Sequence, residues 1–360
     1  MSSSFVAAGP WLHVRVAFSV CDTTRSTDVA SFDVHAGART IVQYMQHVGE
    51  RWVACAFHQA LRGAKSGPRA PIVVDIGANA GYYTMLSLAL GARVAAFDAQ
   101  PSCWTFIAAA LTKNGFDKPE VAQLVRGGVS PRPHTTYLDV AAGGANHTCD
   151  GKFGQRGRAA GFLVDARAHR HHLAQHRRSH GDRDYDYDAG STKERERKAP
   201  APAAAAPPVV HVPAVPLPSL RGGFLGAALA DHQELALIKM DTEGMELGIL
   251  NASLLPLLRR RLVAHLIFEA TPGWWAVGSA AAALSHAAEK PGEGEGGGGG
   301  AIASPTEIAA ELVAQVVDCG YTMRTRLLRG TTIVQRARAA AYVQRMRYAE
   351  DLFFVRQSLR

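Results

Sequence analysis

Short unbroken apolar runs alternate along this chain with stretches whose apolar residues recur every three or four positions. The first run, 71–76, contains IVVDI, β-branched and continuous, as a strand buried on both faces requires. A glycine-containing turn follows it and leads into TMLSLAL, the start of an amphipathic helix. Further strands are predicted at 92–98 (ARVAAFD), 235–241 (LALIKMD), 263–269 (VAHLIFE), 320–328 (GYTMRTRLL) and 351–357 (DLFFVRQ). Between them, Ser304-Pro305-Thr306-Glu307 has the form of a capping box with proline at the first helical position, opening a helix that should stop at Gly320. This alternation predicts an α/β fold: seven strands in a mostly parallel sheet that ends in a C-terminal antiparallel hairpin.

Two stretches break the pattern. Residues 141–208 run through glycines, a histidine-rich tract, DRDYDYD, KERERK and APAPAAAAPP, a composition that reads as a solvated, disordered insertion. Residues 291–300, PGEGEGGGGG, read as a flexible linker. The expected organisation is therefore a helical lead-in over 1–70 and one domain over 71–360, interrupted twice. The histidines between 169 and 180 lack the cysteine or carboxylate spacing of a metal site, so no metal centre is expected there.

Composition narrows the function classes. The chain is 47% hydrophobic and 19% charged, too apolar for a wholly disordered protein, and no 18-residue apolar stretch marks a membrane span. Of the +8 net charge, +5 comes from residues 151–200, where 12 Lys and Arg face 7 Asp and Glu. The remainder makes a nucleic-acid footprint on the folded part a weak expectation. Five cysteines without a CxxC pair suggest neither a disulfide framework nor a zinc knuckle, so reduced thiols and a cytoplasmic location are the default. The acid-free N-terminus, with His13 and Arg15 inside its apolar part, does not suit a secretory signal, although it is compatible with organelle transit.

The chemistry concentrates in VVDIGANAGYYT, residues 73–84. Asp75 at a strand end is followed by Gly77, Asn79 and Gly81 in the turn that enters a helix, where backbone amides can approach a ligand closely. Asparagine is among the few non-glycine residues that tolerate a left-handed backbone. The dinucleotide fingerprint GxGxxG is absent, and an acid this near the turn repels a pyrophosphate while suiting a cationic amino-acid ligand, which favours S-adenosylmethionine over NAD. Asp98, 21 residues after Gly77, ends the next strand at the spacing expected of an acceptor for ribose hydroxyls.

These motifs, together with AAFD and IKMDTEGMELGIL, resemble the FkbM family of S-adenosylmethionine-dependent methyltransferases. Asp241, Glu243, Gly244 and Glu246 match its KxDxEGxE signature. The resemblance covers about residues 71–130 and 209–270 and implies a class I, Rossmann-like methyltransferase fold. It also implies S-adenosylmethionine held by Asp75, Gly77, Asn79, Gly81 and Asp98, and methyl transfer to a hydroxyl oxygen of a carbohydrate or other small molecule. Asp241 and Glu243 emerge at the carboxyl end of a buried strand, where parallel sheets place ligand crevices, and Glu269 closes the next strand at the same edge. All three are candidates for the base that removes the acceptor's proton. The rival readings are a nucleic-acid methyltransferase, against which stands Asp241-Thr242-Glu243-Gly244 in place of an Asn/Asp-Pro-Pro-aromatic motif, and a non-catalytic scaffold of the same fold.

Overall fold

The computed structural model describes residues 3–8, 11–18, 21, 29–35, 51–62, 70–131, 137–141, 209–242, 244–270, 304–325, 332–346 and 350–357. The predicted insertion beyond residue 141 and the glycine linker lie outside these residues, as does Glu243. The chain begins with three strands, β1 (Ser3–Ala8), β2 (Trp11–Ala17) and β3 (Val29–His35), in an antiparallel sheet. Helix α1 (Arg51–Leu61) follows. A helical lead-in is thus corrected to a sheet plus one helix. The reason is legible in β2, where Leu12, Val14 and Val16 are buried while His13 and Arg15 are exposed, the period of two that makes a half-buried strand.

The larger unit comprises β4 (Ile72–Ile76), α2 (Tyr82–Ala89), β5 (Arg93–Asp98), α3 (Pro101–Lys113), β6 (Ala122–Arg126), β7 (Gly128–Val129), β8 (Tyr137–Ala141) and β9 (Val209–Val215). It continues through α4 (Gly223–Ala230), β10 (Leu235–Met240) and α5 (Glu246–Ile249), which runs by a π turn (Leu250–Leu254) into α6 (Leu255–Arg259). The chain then forms β11 (Val263–Ala270), α7 (Pro305–Asp318), β12 (Tyr321–Arg324), β13 (Thr332–Ile333), α8 (Arg336–Gln344) and β14 (Glu350–Arg356). The main sheet has eight strands in the order β13-β12-β14-β11-β10-β4-β5-β6. From β6 to β11 neighbouring strands pair in parallel, and β14 inserts antiparallel between β11 and β12. The mostly parallel sheet with an antiparallel end is the expected architecture. It gains one short strand, β13, and the two terminal strands are joined through β13 and α8 instead of a tight turn. A separate small sheet, β7-β9-β8, flanks it.

Strand order reverses at β4, since β5 and β6 extend to one side and β10 and β11 to the other. Such a switch point opens a crevice at the carboxyl ends of the strands. Every residue of β4 is buried, in keeping with its continuous apolar run. Two apolar clusters cover the sheet. Val74, Ile238, Leu266 and Phe268 lie in the one completed by α7, while Val73, Val94, Leu237 and Ile267 lie in the one completed by α1, α2 and the N-terminal sheet. In α7 the capping box is formed in both directions, Glu307 N–H donating to Ser304 Oγ at 3.2 Å and Ser304 N–H to Glu307 Oε2 at 2.6 Å. The helix ends as expected, with Gly320 at φ 87°. The arginines of α8 serve as an outer charged face: Arg336 pairs with Glu311 and Asp318 of α7.

The reduced-thiol expectation is overturned. Cys21 and Cys55 form a disulfide that fastens the end of the β2 segment to α1, with Cα atoms 5.2 Å apart. Cys103 is disulfide-bonded as well, and Cys319 is the free thiol among the described residues. No short-range spacing rule marks a pair 34 residues apart, because only the fold brings the two positions together.

Candidate functional site at the sheet's switch point

The glycine turn after β4 packs directly on the end of β10. Gly77 has φ +80°, and a Cβ built there would lie 1.7 Å from the Asp241 carbonyl oxygen. Both Gly77 N–H and Ala78 N–H donate to the Phe97 carbonyl, at 2.9 and 3.0 Å, so the turn folds over the neighbouring β5. Asn79 adopts φ 53° and Gly81 φ 85°, the left-handed positions the sequence called for. Asp98 then closes the arrangement. Its Oδ2 accepts from Asn79 N–H at 2.6 Å and its Oδ1 from Gln100 N–H at 2.7 Å, joining the turn to the start of α3. Trp104 Nε1 donates to the Asp98 carbonyl at 2.7 Å and fixes the same corner from behind. Burial pushes the Asp98 carboxyl up to about 7, against the opposing pull of these two backbone donors.

Asp75 lies fully buried in β4. Its Oδ2 accepts from Thr84 Oγ1 of α2 at 2.6 Å, while its Oδ1 has no hydrogen-bond partner among the described residues. Burial raises this carboxyl as well, offset in part by Lys239 and by the Thr84 hydroxyl. The parallel register sets Lys239 of β10 directly beside Asp75 and on the same face, and Asp241 stands one pleat further along.

Lys239 is the residue sequence reasoning passed over. Its side chain is 5% exposed, its Nζ donates to Asp241 Oδ2 at 2.9 Å, and the ammonium lies 5.1 Å from the Tyr83 ring centroid. The signal was available, since a lysine inside the apolar strand LALIKM needs a buried partner. Tyr83 is stacked in turn on Phe57 of α1, ring centroids 4.9 Å apart, so the N-terminal unit backs the ammonium.

Asp241 and Glu269 emerge from adjacent strands and share a hydrogen bond. Burial raises Asp241, but the Lys239 ammonium and the hydrogen bond with Glu269 outweigh it and hold the carboxyl below its usual range. Glu269 goes the other way, raised well above the usual range by burial first and then by the Asp241 charge. The two carboxyls are pushed in opposite directions, as expected of two acids sharing one site.

Glu246 has a different task. It is fully buried at the start of α5, where its Oε1 accepts from Thr242 N–H at 2.7 Å and Thr242 Oγ1 at 3.1 Å, and its Oε2 accepts from Gly244 N–H at 2.9 Å. This carboxyl clamps the loop that carries Asp241. Replacing it with alanine leaves one buried and one part-buried N–H group unpaired, and Glu246→Ala is expected to cost about 2–4 kcal/mol. Urea unfolding midpoints check this, with Glu246→Gln retaining part of the loss as recoverable bonding. The Asp241, Glu246 and Glu269 carboxylate oxygens lie within 4.8 Å of one another, near enough to ligate a metal ion, and the Lys239 ammonium already balances Asp241.

The structure thus brings together Asp75, Gly77, Asn79, Gly81 and Asp98 around the turn, and Asp241 and Glu269 beside it; Glu243 is outside the described residues. No protein-family model matches the sequence, and no curated protein does either. Among the solved structures that align with the chain are two methyltransferases. One is a precorrin-6y C5,15-methyltransferase from Geobacter metallireducens GS-15, 11% identical over 86% of this chain and 89% of that one, with a TM-score of 0.32. The other is a SAM-dependent methyltransferase from Agrobacterium tumefaciens, 8% identical over 98% of this chain and 69% of that one, with a TM-score of 0.30. The fold assignment rests on the strand order and not on these distant likenesses.

Proposed function

We propose that the chain is an S-adenosylmethionine-dependent methyltransferase acting on a hydroxyl oxygen of a carbohydrate or other small molecule, as the FkbM resemblance implies. The observation that carries this reading is the orphaned Asp75 Oδ1, buried beside a glycine turn whose far side is closed by a second strand-end acid. A buried carboxylate oxygen without a donor suits an ammonium group, and a pyrophosphate would be repelled there. Asp98 retains free lone pairs on both oxygens after accepting two backbone bonds, so it has capacity left for ribose hydroxyls.

When bound, the cofactor supplies a methyl group on a sulfonium that leaves as a neutral thioether. The residues must then hold an acceptor in line and take its proton. Asp241, ionised and fixed by Lys239, accepts the hydrogen bond of the incoming hydroxyl and orients its oxygen. The proton released on transfer passes to the Asp241 carboxylate, and the hydrogen bond between Asp241 and Glu269 lets the pair share it.

The first test is binding. Excess S-adenosylmethionine should raise the melting temperature, by about 2.7 kcal/mol of added stability at 100 times Kd, while NAD leaves it unchanged. Asp75→Ala should abolish the shift. Because Asp98 titrates at about 7 and ribose hydroxyls favour its ionised form, affinity should weaken below that pH by up to about tenfold per unit, and Asp98→Asn should bind weakly at every pH. No shift at millimolar ligand, in protein shown to be folded, would overturn the assignment.

A further inference from the structure

We propose that Asn251 carries an N-linked glycan and that the chain matures in an oxidising, glycosylating compartment. Two independent features support this. The first is the thiol chemistry. Cys21 and Cys55 are both buried and bonded to each other, joining the N-terminal sheet to α1, and Cys103 is bonded as well. Such bonds form and persist where thiols are oxidised, and the reducing cytosol works against them.

The second feature is Asn251-Ala252-Ser253, an Asn-X-Ser acceptor sequence in which X is not proline. Asn251 sits on the π turn between α5 and α6, and its side chain is exposed. The serine is not. Ser253 is fully buried, donating to the Ser130 carbonyl at 3.2 Å and accepting from Leu217 N–H at 3.3 Å. A transferase that must read the serine hydroxyl can do so only before this part of the chain folds. The modification is therefore made on the nascent chain, and folding then buries the serine while leaving the modified asparagine outside.

The chemistry balances with two co-reactants of that compartment. The Asn251 amide nitrogen attacks the anomeric carbon of a lipid-pyrophosphate-linked oligosaccharide. A C–N bond forms, the C–O bond to the pyrophosphate breaks with its electron pair leaving on the lipid pyrophosphate, and the amide proton goes to a base of the transferase. The Cys21 and Cys55 thiols give up two protons and two electrons to a disulfide-bearing oxidoreductase, which becomes a dithiol.

The test uses the full protein isolated from the cells that make it, alkylated before lysis and digested without reduction. Treatment with a peptide N-glycosidase in heavy-oxygen water should return the peptide spanning 240–259 with a labelled aspartate at position 251, and the Cys21 and Cys55 peptides should travel together until reduced. Asn251→Gln should lose one glycan's mass and keep the disulfide. An unmodified Asn251 peptide, or Cys21 and Cys55 recovered as alkylated thiols, would overturn the proposal. Mapping by peptide separates this site from Asn146-His147-Thr148, the other acceptor sequence in the chain.

Discussion

Gly77→Ala leaves little folded protein. The added Cβ meets the Asp241 carbonyl oxygen at 1.7 Å and its carbon at 2.8 Å, and neither is a side chain that can rotate away. Relief requires the β4 and β10 loops to move apart by more than an ångström, which breaks the Asp241 N–H bond to the Ile76 carbonyl, now 3.0 Å long. The backbone at φ +80° adds its own cost of about 1 kcal/mol for any residue with a Cβ. Together these amount to about 4–5 kcal/mol or more, a large part of the stability of an ordinary domain. Soluble yield and the melting temperature measure it. Gly81→Ala is the control, since its Cβ comes closest to Ile107 Cγ1, at 3.3 Å, and meets the Ile107 backbone only at an ordinary 3.8 Å. Equal behaviour of the two variants would refute the close-approach argument.

Lys239→Met destabilises the protein by about 3–5 kcal/mol near neutral pH and removes activity with it. Methionine fills the space of the lysine stem but leaves Asp75 and Asp241 without a cation in a site that also holds Glu246 and Glu269. The pH dependence identifies the cause. Without the ammonium, the folded-state proton affinity of Asp75 rises further above its unfolded value, and Asp241 loses the charge that holds it below. A raised value contributes stability in acid that is lost as pH climbs through it. The deficit of the variant is therefore smallest near pH 5 and grows toward pH 8. Asp241→Asn in the same chain should return part of the loss, because the uncompensated charge is then gone. Chemical denaturation of wild type, both single variants and the double variant at the two pH values completes the cycle; a deficit of constant size would point to packing instead.

Much of this was written in local patterns. The buried strands of the main sheet follow from continuous apolar runs, the α7 boundaries from a capping box and a terminal glycine, and the turn from Gly77, Asn79 and Gly81, because each depends on neighbours in sequence. Glu246 was legible as a motif residue but not as a loop clamp, since its partners depend on how the 242–244 backbone bends. The Asp75–Lys239 neighbourhood is a matter of strand register between segments some 160 residues apart, and the Cys21–Cys55 bond joins two elements whose packing no spacing rule encodes. The N-terminal sheet is hidden for a simpler reason: an acid-free, apolar-rich start of the chain also has the composition of a targeting segment, which masks the alternation of short strands.

That sheet also bears on where the functional unit begins. Asn114 at the end of α3 grips β3 from both sides, accepting from Asp33 N–H and donating to the Asp33 carbonyl, each at 2.8 Å. Phe32, Val34 and Phe57 are buried in the same cluster as Met85, Leu86 and Val94. Excising the first seventy residues at the boundary the motifs suggest would unroof that cluster and open a path for water, past the missing Phe57 and the uncovered Tyr83 ring, to Lys239. The motif-bearing half is not a portable module; its inheritance, grafting or exchange between proteins has to carry the N-terminal sheet along as its inner wall.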